Sequence, residues 1–414
     1  MATFTTPSAD GRLFVQDAQV VVQGVRRALT DLLASVDADP RHPQDMSRRF
    51  GLDKTLTWKI SRVIREPDPW DAVGHIPRRP SIQLIATALE RHGAPTDRIE
   101  SLLRSVDEFE RFVETHSGDR ETLEVMVSTG GRRSAAKRME AFRKAAFQAN
   151  SAIWGVRANL QISMHLMIPA PDDRLTLVTV TGFDGFRRLR PDVPWAVSTI
   201  SAWDSSTAQT SMAIGRLFPL DPKAAEGGAP LLGEFCSDPM PDLRRVQLPD
   251  NKVRMEIGEG PVGNTAAARV LLGYTRPGEV SLHETHSGET GEHGLYLYTP
   301  VEAVVTDLLI HRSLDFAMNP TAHLYSALPG GPRYPGEGPN VGKIVTPERI
   351  VDLGCPPDLT TPEFPRYQDV AEFAARQAGL SLNDFNGYRY RLKYPPIPTL
   401  AIIRHGLAPR DSAK

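Results

Sequence analysis

RHPQDMSRRFGLDKTLTWKISRVIR, residues 41–65, is the stretch whose reading decides how the rest of this 414-residue chain is understood. Met46 and Phe50 are four residues apart and suit the inner side of a short helix. Ser47 is small enough for a close helix crossing. Gly51 stands where a tight turn needs a left-handed backbone, and Leu52 can plug that turn. Leu56, Ile60 and Val63 then recur at steps of four and three, the packing stripe of a second helix. That leaves Lys54, Thr55, Thr57, Trp58, Lys59, Ser61 and Arg62 for its open side, with Arg48 and Arg49 on the helix before it. Seven Lys or Arg stand against two acids, a local charge of +5 on a chain whose formal total is −2.

Upstream, Leu13, Val21, Val25, Leu29, Leu32 and Val36 predict a helix over residues 10–38, ended by Ala-Asp-Pro. Downstream, EPDPWDAVGHIPRRP (66–80) is too rich in proline to be helical. Ser81 suits an N-cap for IQLIATALERHG, with Gly93 as its stop. Helix is expected at 96–116 and again at about 133–165. The pattern changes at Pro169. LTLVTVTGF (175–183), WAVSTISAW (195–203), VRMEI, ARVLLGYT, VSLHET and GLYLYT alternate or are β-branched, as strands are. Thr299-Pro300-Val301-Glu302 matches a helix start with proline at the first position, and Thr346-Pro347-Glu348 a second one closed by Gly354. YQDVAEFAARQAGL (367–380) predicts a further helix, and YRYRLKY and PTLAIIRH one or two closing strands. The expected class is α+β and multidomain: an all-helical region containing a helix-turn-helix, then a mixed α+β region. The expected divisions are 1–118, linking or dimerising helices over 119–168, and 169–414.

SRRFGLDKTLTWKISRVI resembles the helix-turn-helix domains of bacterial transcriptional regulators: a small residue, glycine four positions on, then a basic-polar second helix. PSIQLIATALERHG is similar to the later helix that closes such bundles. The resemblance covers residues 41–93. It implies duplex DNA as partner, with Thr55, Thr57, Trp58 and Lys59 approaching base edges and Arg48 and Arg49 reaching phosphates. Ser47 stands where the family usually has alanine, and Thr57 where a β-branched apolar residue is commoner. The 66–80 connection is longer than usual, and Arg78 and Arg79 at its tip would touch the DNA backbone as a wing. The alternative is two amphipathic helices meeting at a glycine, their cations a solvated face or a surface for RNA or another acidic partner.

Composition narrows the remaining classes. Two cysteines, Cys236 and Cys355, make no disulfide framework and cannot complete a structural zinc site. MATFTTPSADGRLF lacks the pattern of a secretion signal, and no stretch of about 20 apolar residues suggests a membrane span; a cytoplasmic protein is the expectation. GRRSAAKRMEAFRKAAF carries a second basic cluster (Arg132, Arg133, Lys137, Arg138, Arg143, Lys144), read as the outer side of a helix whose inner side is Met139, Phe142 and Phe147. HETHSGETGEH (283–293) brings together His283, His286 and His293, but lacks zincin spacing and reads as a hairpin. Asp307 and His311 are read as a pair on a helix surface, with part of a pocket as the alternative, and GGPRYPGEGPNVGK (330–343) as an irregular loop. Trp195, Trp203, Tyr296, Tyr298, Tyr388 and Tyr390 suit a core, an interface or a small-molecule pocket.

The sequence therefore predicts a DNA-binding transcriptional regulator with an effector-sensing or oligomerising α+β region. It is expected to act as a homodimer with no metal, cofactor or catalytic residues, and a small-molecule effector is a further expected partner. An enzyme of unassigned reaction with an accessory helical module, metal-dependent or not, and an assembly protein are the alternatives.

Overall fold

The computed structural model describes residues 9–128, 135–200, 218–227, 229–249, 253–285, 288–328 and 342–409. The chain is α+β, as its patterning predicts, and divides into two compact units, Met1–Met139 and Glu140–Lys414.

The first unit is helical: α1 (Ala9–Ala34), α2 (Pro43–Phe50), α3 (Lys54–Arg65), α4 (Pro69–Val73), α5 (Arg79–Glu90), α6 (Thr96–His116) and α7 (Arg120–Ser128). Val22, Val25, Leu29, Leu32 and Leu33 of α1 form one wall of its core, and Leu102, Val106, Phe109 and Phe112 of α6 another. Phe14 stacks on Phe112 with ring centroids 5.5 Å apart. Two expectations need correction here. The proline-rich 66–80 connection contains the short helix α4, and α5 begins two residues before Ser81, with Arg78 as its N-cap.

The second unit opens within α8 (Ala135–Trp154). The helix predicted to run to about 165 stops at Gly155, whose φ of 73° is left-handed, and the chain continues as strand β1 (Val156–Ala170). On α8, Arg143 is buried and donates to Glu348, 2.6 Å away, while Phe142 is exposed. The inward side is thus turned from the one expected, although Phe147 is buried. Arg132, Arg133 and the Arg138 side chain lie outside the described residues.

Strands β2 (Arg174–Arg188), β3 (Trp195–Ile200), β4 (Phe218–Pro219), β5 (Leu243–Gln247), β6 (Val253–Ile257), β7 (Ala268–Ser281), β8 (Thr290–Leu297), β9 (Val301–His311), β10 (Thr321–Ser326), β11 (Lys343–Ile344), β12 (Val351–Gly354), β13 (Phe385–Lys393) and β14 (Thr399–Gly406) follow, with helix α9 (Tyr367–Gln377) before β13. They form a seven-stranded sheet in the order β12-β13-β9-β1-β2-β7-β4, a four-stranded sheet β11-β10-β14-β8 and a three-stranded sheet β3-β6-β5. One face of the large sheet (Leu160, Ile162, Met164, Val305, Leu309) packs on Val370, Ala371 and Ala374 of α9. The opposite face shares a core with Leu295, Leu297, Ala401 and Ile403 of the four-stranded sheet and Val253, Met255 and Ile257 of the three-stranded one.

β9 is the largest correction. Thr299-Pro300-Val301-Glu302 starts a strand, not a helix, and β9 pairs in parallel with β1 and antiparallel with β13. VEAVVTDLLIH is mostly apolar and buried over nearly its whole length, and periodicity cannot tell such a stretch from a buried helix. The helix expected after Thr346 is likewise a loop leading to β12. Asp307 therefore has no helical relation to His311. It lies fully buried opposite Arg389 on β13, which grips it at 2.9 and 2.8 Å and also donates to the Leu359 and Thr360 carbonyls. Burial pushes the Asp307 carboxyl up, and Arg389 opposes that. His283 pairs with Asp173, and β8, which begins at Thr290, pairs with β14 and not with β7, so 283–293 is not the expected hairpin but a connection from one sheet to another that ends with His293 buried. His286, Trp203 and residues 330–341 lie outside the described residues.

Between the two larger sheets, the rings of His165 (β1), His293 (β8) and His405 (β14) lie in a row, with centroids 4.9 and 5.2 Å apart. All three are buried. Ser163 and Thr179 lie 2.9 and 3.3 Å from the two nitrogens of His165, and Nε2 of His293 has no hydrogen-bond partner among the described residues. Desolvation, followed by the charge of Arg276, holds His165 down at about 3; desolvation also lowers His293 and His405.

Two outcomes follow from these buried groups. The folded histidines bind protons less readily than unfolded ones near 6.5, so their contribution is complete above that pH and is lost as pH falls below it, for His165 down to about 3. Each group steepens that loss by up to about 1.4 kcal/mol per pH unit. Urea unfolding of the full chain between pH 7.5 and 5 should show this loss, and His293→Phe should flatten it; an equal slope in the two proteins removes the histidine row as the cause. Arg389→Ala strands a buried carboxyl and should lower unfolding free energy by about 3–5 kcal/mol, whereas Asp307→Leu with Arg389→Met should recover most of that loss. Urea midpoints of the three proteins decide it.

Candidate nucleic-acid interface

Helices α2 and α3 are joined by three residues, Gly51 to Asp53. Gly51 adopts φ 67° and ψ 27°, and its N–H and that of Leu52 reach the Ser47 carbonyl. This is a left-handed helix stop, and it needs glycine because of its backbone rather than a shortage of space. Ser47, buried, donates its hydroxyl to the Leu52 carbonyl at 2.7 Å, so its polar group is satisfied inside the crossing. Met46 and Phe50 are buried as expected, and Leu52 packs against the same core.

α3 is fastened at both ends. Asp53 caps the first turn, accepting from the Thr55 and Leu56 amides at 2.8 and 3.2 Å; these bonds hold its carboxyl below the usual range. At the other end Arg26 of α1 donates to the Val63 carbonyl at 2.9 Å and the Glu66 carbonyl at 2.6 Å. A carboxylate at the amino end and a guanidinium at the carboxyl end both suit the helix dipole. The inward stripe is Thr57, Ile60, Ser61 and Val63, with Leu56 and Ile64 half-buried beside it.

Thr57 is therefore no base-contacting residue. It is 0% exposed and donates its hydroxyl to the Lys54 carbonyl at 3.1 Å. Ser61 is buried too. The stripe at 57, 60, 61 and 63 includes two small hydroxyl residues that polarity alone assigned to the outside. The other predicted positions Lys54, Thr55, Trp58, Lys59 and Arg62 are all exposed on one side of α3, joined by Arg65, which the sequence reading did not single out. Trp58 is 45% exposed in the middle of that side.

Outside α3 the expected cations differ in freedom. Arg48 is exposed, 3.9 Å from Asp45. Arg49 is exposed but donates to the Asp37 carbonyl at 2.9 Å and lies over the Phe50 ring. Arg78 is exposed at the start of α5, while Arg79 is engaged by Asp107 of α6. A wing formed by both Arg78 and Arg79 thus has one arm tied down.

The second unit offers a cavity of about 370 Å³ lined by Glu140, Asn159, Glu302, Glu363, Arg391, Lys393 and Tyr394. Its charges are matched from within: Arg391 pairs with Glu363, Arg157 with Glu302, and Lys393 lies 3.7 Å from Glu140. Among the described residues no group of three or more His, Cys, Asp or Glu is placed to hold a metal ion. Cys236 and Cys355 are both free thiols, and burial raises that of Cys236. Of the aromatic group, Tyr388 and Tyr390 are in the core, Trp195 packs against its margin, and Tyr296 and Tyr298 are about half exposed and stacked on each other. No helix among the described residues is long and apolar enough to cross a membrane.

No protein-family model matches this chain, and no curated protein does. Among solved structures, a chain from Parabacteroides distasonis described as a "putative protease" matches 61% of this chain and 40% of its own length, at 7% identity and a TM-score of 0.24. A superposition that loose carries no argument about fold or activity.

Arg26→Met keeps the apolar stem but removes both donors to the end of α3. It should lower unfolding free energy by about 1–3 kcal/mol, because two carbonyls lose a charged partner. Urea unfolding checks this; an unchanged midpoint would mean that the two carbonyls find water instead.

Proposed function

We propose that this chain is a sequence-specific duplex-DNA-binding transcriptional regulator, and that α3 is the element that enters the major groove. The observation that carries the reading is the outer side of α3. Its twelve residues include Lys54, Lys59, Arg62 and Arg65 and no acid, while the inner side is buried. Cations on a rigid rod braced from beneath are what phosphate and groove-edge recognition need. Arg48 on α2 and Arg78 at the start of α5 would add backbone contacts. Two copies of the chain would act together, because one α3 spans few base pairs. The second unit would supply effector sensing or self-association.

Selection from a randomised duplex library, followed by fluorescence anisotropy across a salt series, tests this. Lys54→Ala with Lys59→Ala should weaken binding by at least about tenfold and lower the slope of log K against log salt by about 2. Selected sites should be palindromic, with half-sites about one helical turn apart. Failure to bind any duplex at about 50 mM salt, or a slope the double variant leaves alone, defeats the proposal.

A further inference from the structure

Trp58 is an unusual residue for the middle of a cationic side. A buried position would spare the indole from water, yet it is 45% exposed with cations before and after it in sequence. It is also held in place. The Arg62 guanidinium lies 5.0 Å from the centre of its ring, and Arg62 in turn reaches Glu66 at 3.6 Å. Trp58, Arg62 and Glu66 are four residues apart in succession, so a helix and its cap place them one above another. From the turn after α4, His75 meets the indole at right angles, with centroids 5.4 Å apart. Glu66 is mostly buried, and its own carbonyl is tied to Arg26. The result is an indole contacted by Arg62 and His75 that still leaves nearly half of its surface open on the cationic side. Arg62 is then a positioning residue for Trp58 as well as one of the exposed cations of this side.

From this arrangement, which rests on the reading of α3 as a groove-entering helix, we infer that Trp58 recognises the 5-methyl group of a thymine in the bound duplex. The major groove presents donors, acceptors and one apolar feature, the thymine methyl. The apolar surface that Trp58 leaves open gains nothing from the polar edges and gains contact area from that methyl. Base stacking, the usual use of an exposed aromatic on single strands, needs an open ring surface, and Arg62 occupies one here. Thr55 and Lys59, flanking Trp58 on the same side, carry the polar groups that suit neighbouring base edges.

The test uses the full chain and the duplex selected by the wild-type protein. Each thymine is replaced in turn by deoxyuridine, which removes only the methyl. Wild type should lose about fourfold in affinity at one thymine per half-site, the worth of one buried methyl. Trp58→Ala should bind with the same salt slope but show no loss on that replacement, and Trp58→Phe should retain part of it. Arg62→Ala, which frees the indole, should shrink the effect while Trp58 is still present. An unchanged salt slope in Trp58→Ala shows that the face is still folded. If wild type binds a duplex but no thymine replacement matters, or if Trp58→Ala keeps the same thymine dependence, the inference is overturned while the DNA-binding proposal stands. If wild type selects no duplex, both fall.

Discussion

A helix of twelve residues does not persist alone in water, because nucleation is unfavourable and its end groups are unsatisfied. α3 exists because its surroundings meet those needs. Asp53 answers the first amides, Arg26 answers the last carbonyls, and Ile60 and Val63 are buried beneath it. Everything the outer side of α3 can do depends on that fastening. Lys54, Lys59, Arg62 and Arg65 repel one another, and only a helix held from below keeps four cations on one side.

The same economy of small polar residues appears inside the crossing. Ser47 and Thr57 are buried, but each hydroxyl donates to a carbonyl of its own segment, so neither leaves an unpaired group in the core. Small size is what those places require, and a local hydrogen bond makes polarity tolerable there. Trp58 is the converse case. An apolar residue stands outside, where Arg62 and His75 contact its ring.

In the second unit the organising feature is a strand buried on both sides. β9 lies between β1 and β13, so a charged group buried on it needs a partner from a neighbouring strand. Asp307 finds Arg389 on the neighbouring strand. The histidine row solves a related problem between sheets: three neutral rings fill a buried space that a charge would make unfavourable. Both features join residues distant in sequence, 82 positions apart for Asp307 and Arg389.

By itself the sequence determined the helical first unit, the turn at Gly51, the stripe beneath α3 apart from its two hydroxyl members, most strands beyond Pro169 and the helix before β13. Each is a local matter of periodicity, capping or backbone freedom, and those act over a few residues. Tertiary structure decided the rest. Whether VEAVVTDLLIH is helix or strand depends on β1 and β13 lying on either side, since a mostly apolar stretch of this length satisfies both conformations. That Thr57 faces inward depends on how closely α3 approaches its neighbours, and that Arg79 is occupied depends on Asp107, 28 residues away. Hydrogen bonds and ion pairs between distant segments have no periodicity of their own, so they become visible only when the folded chain brings their members together.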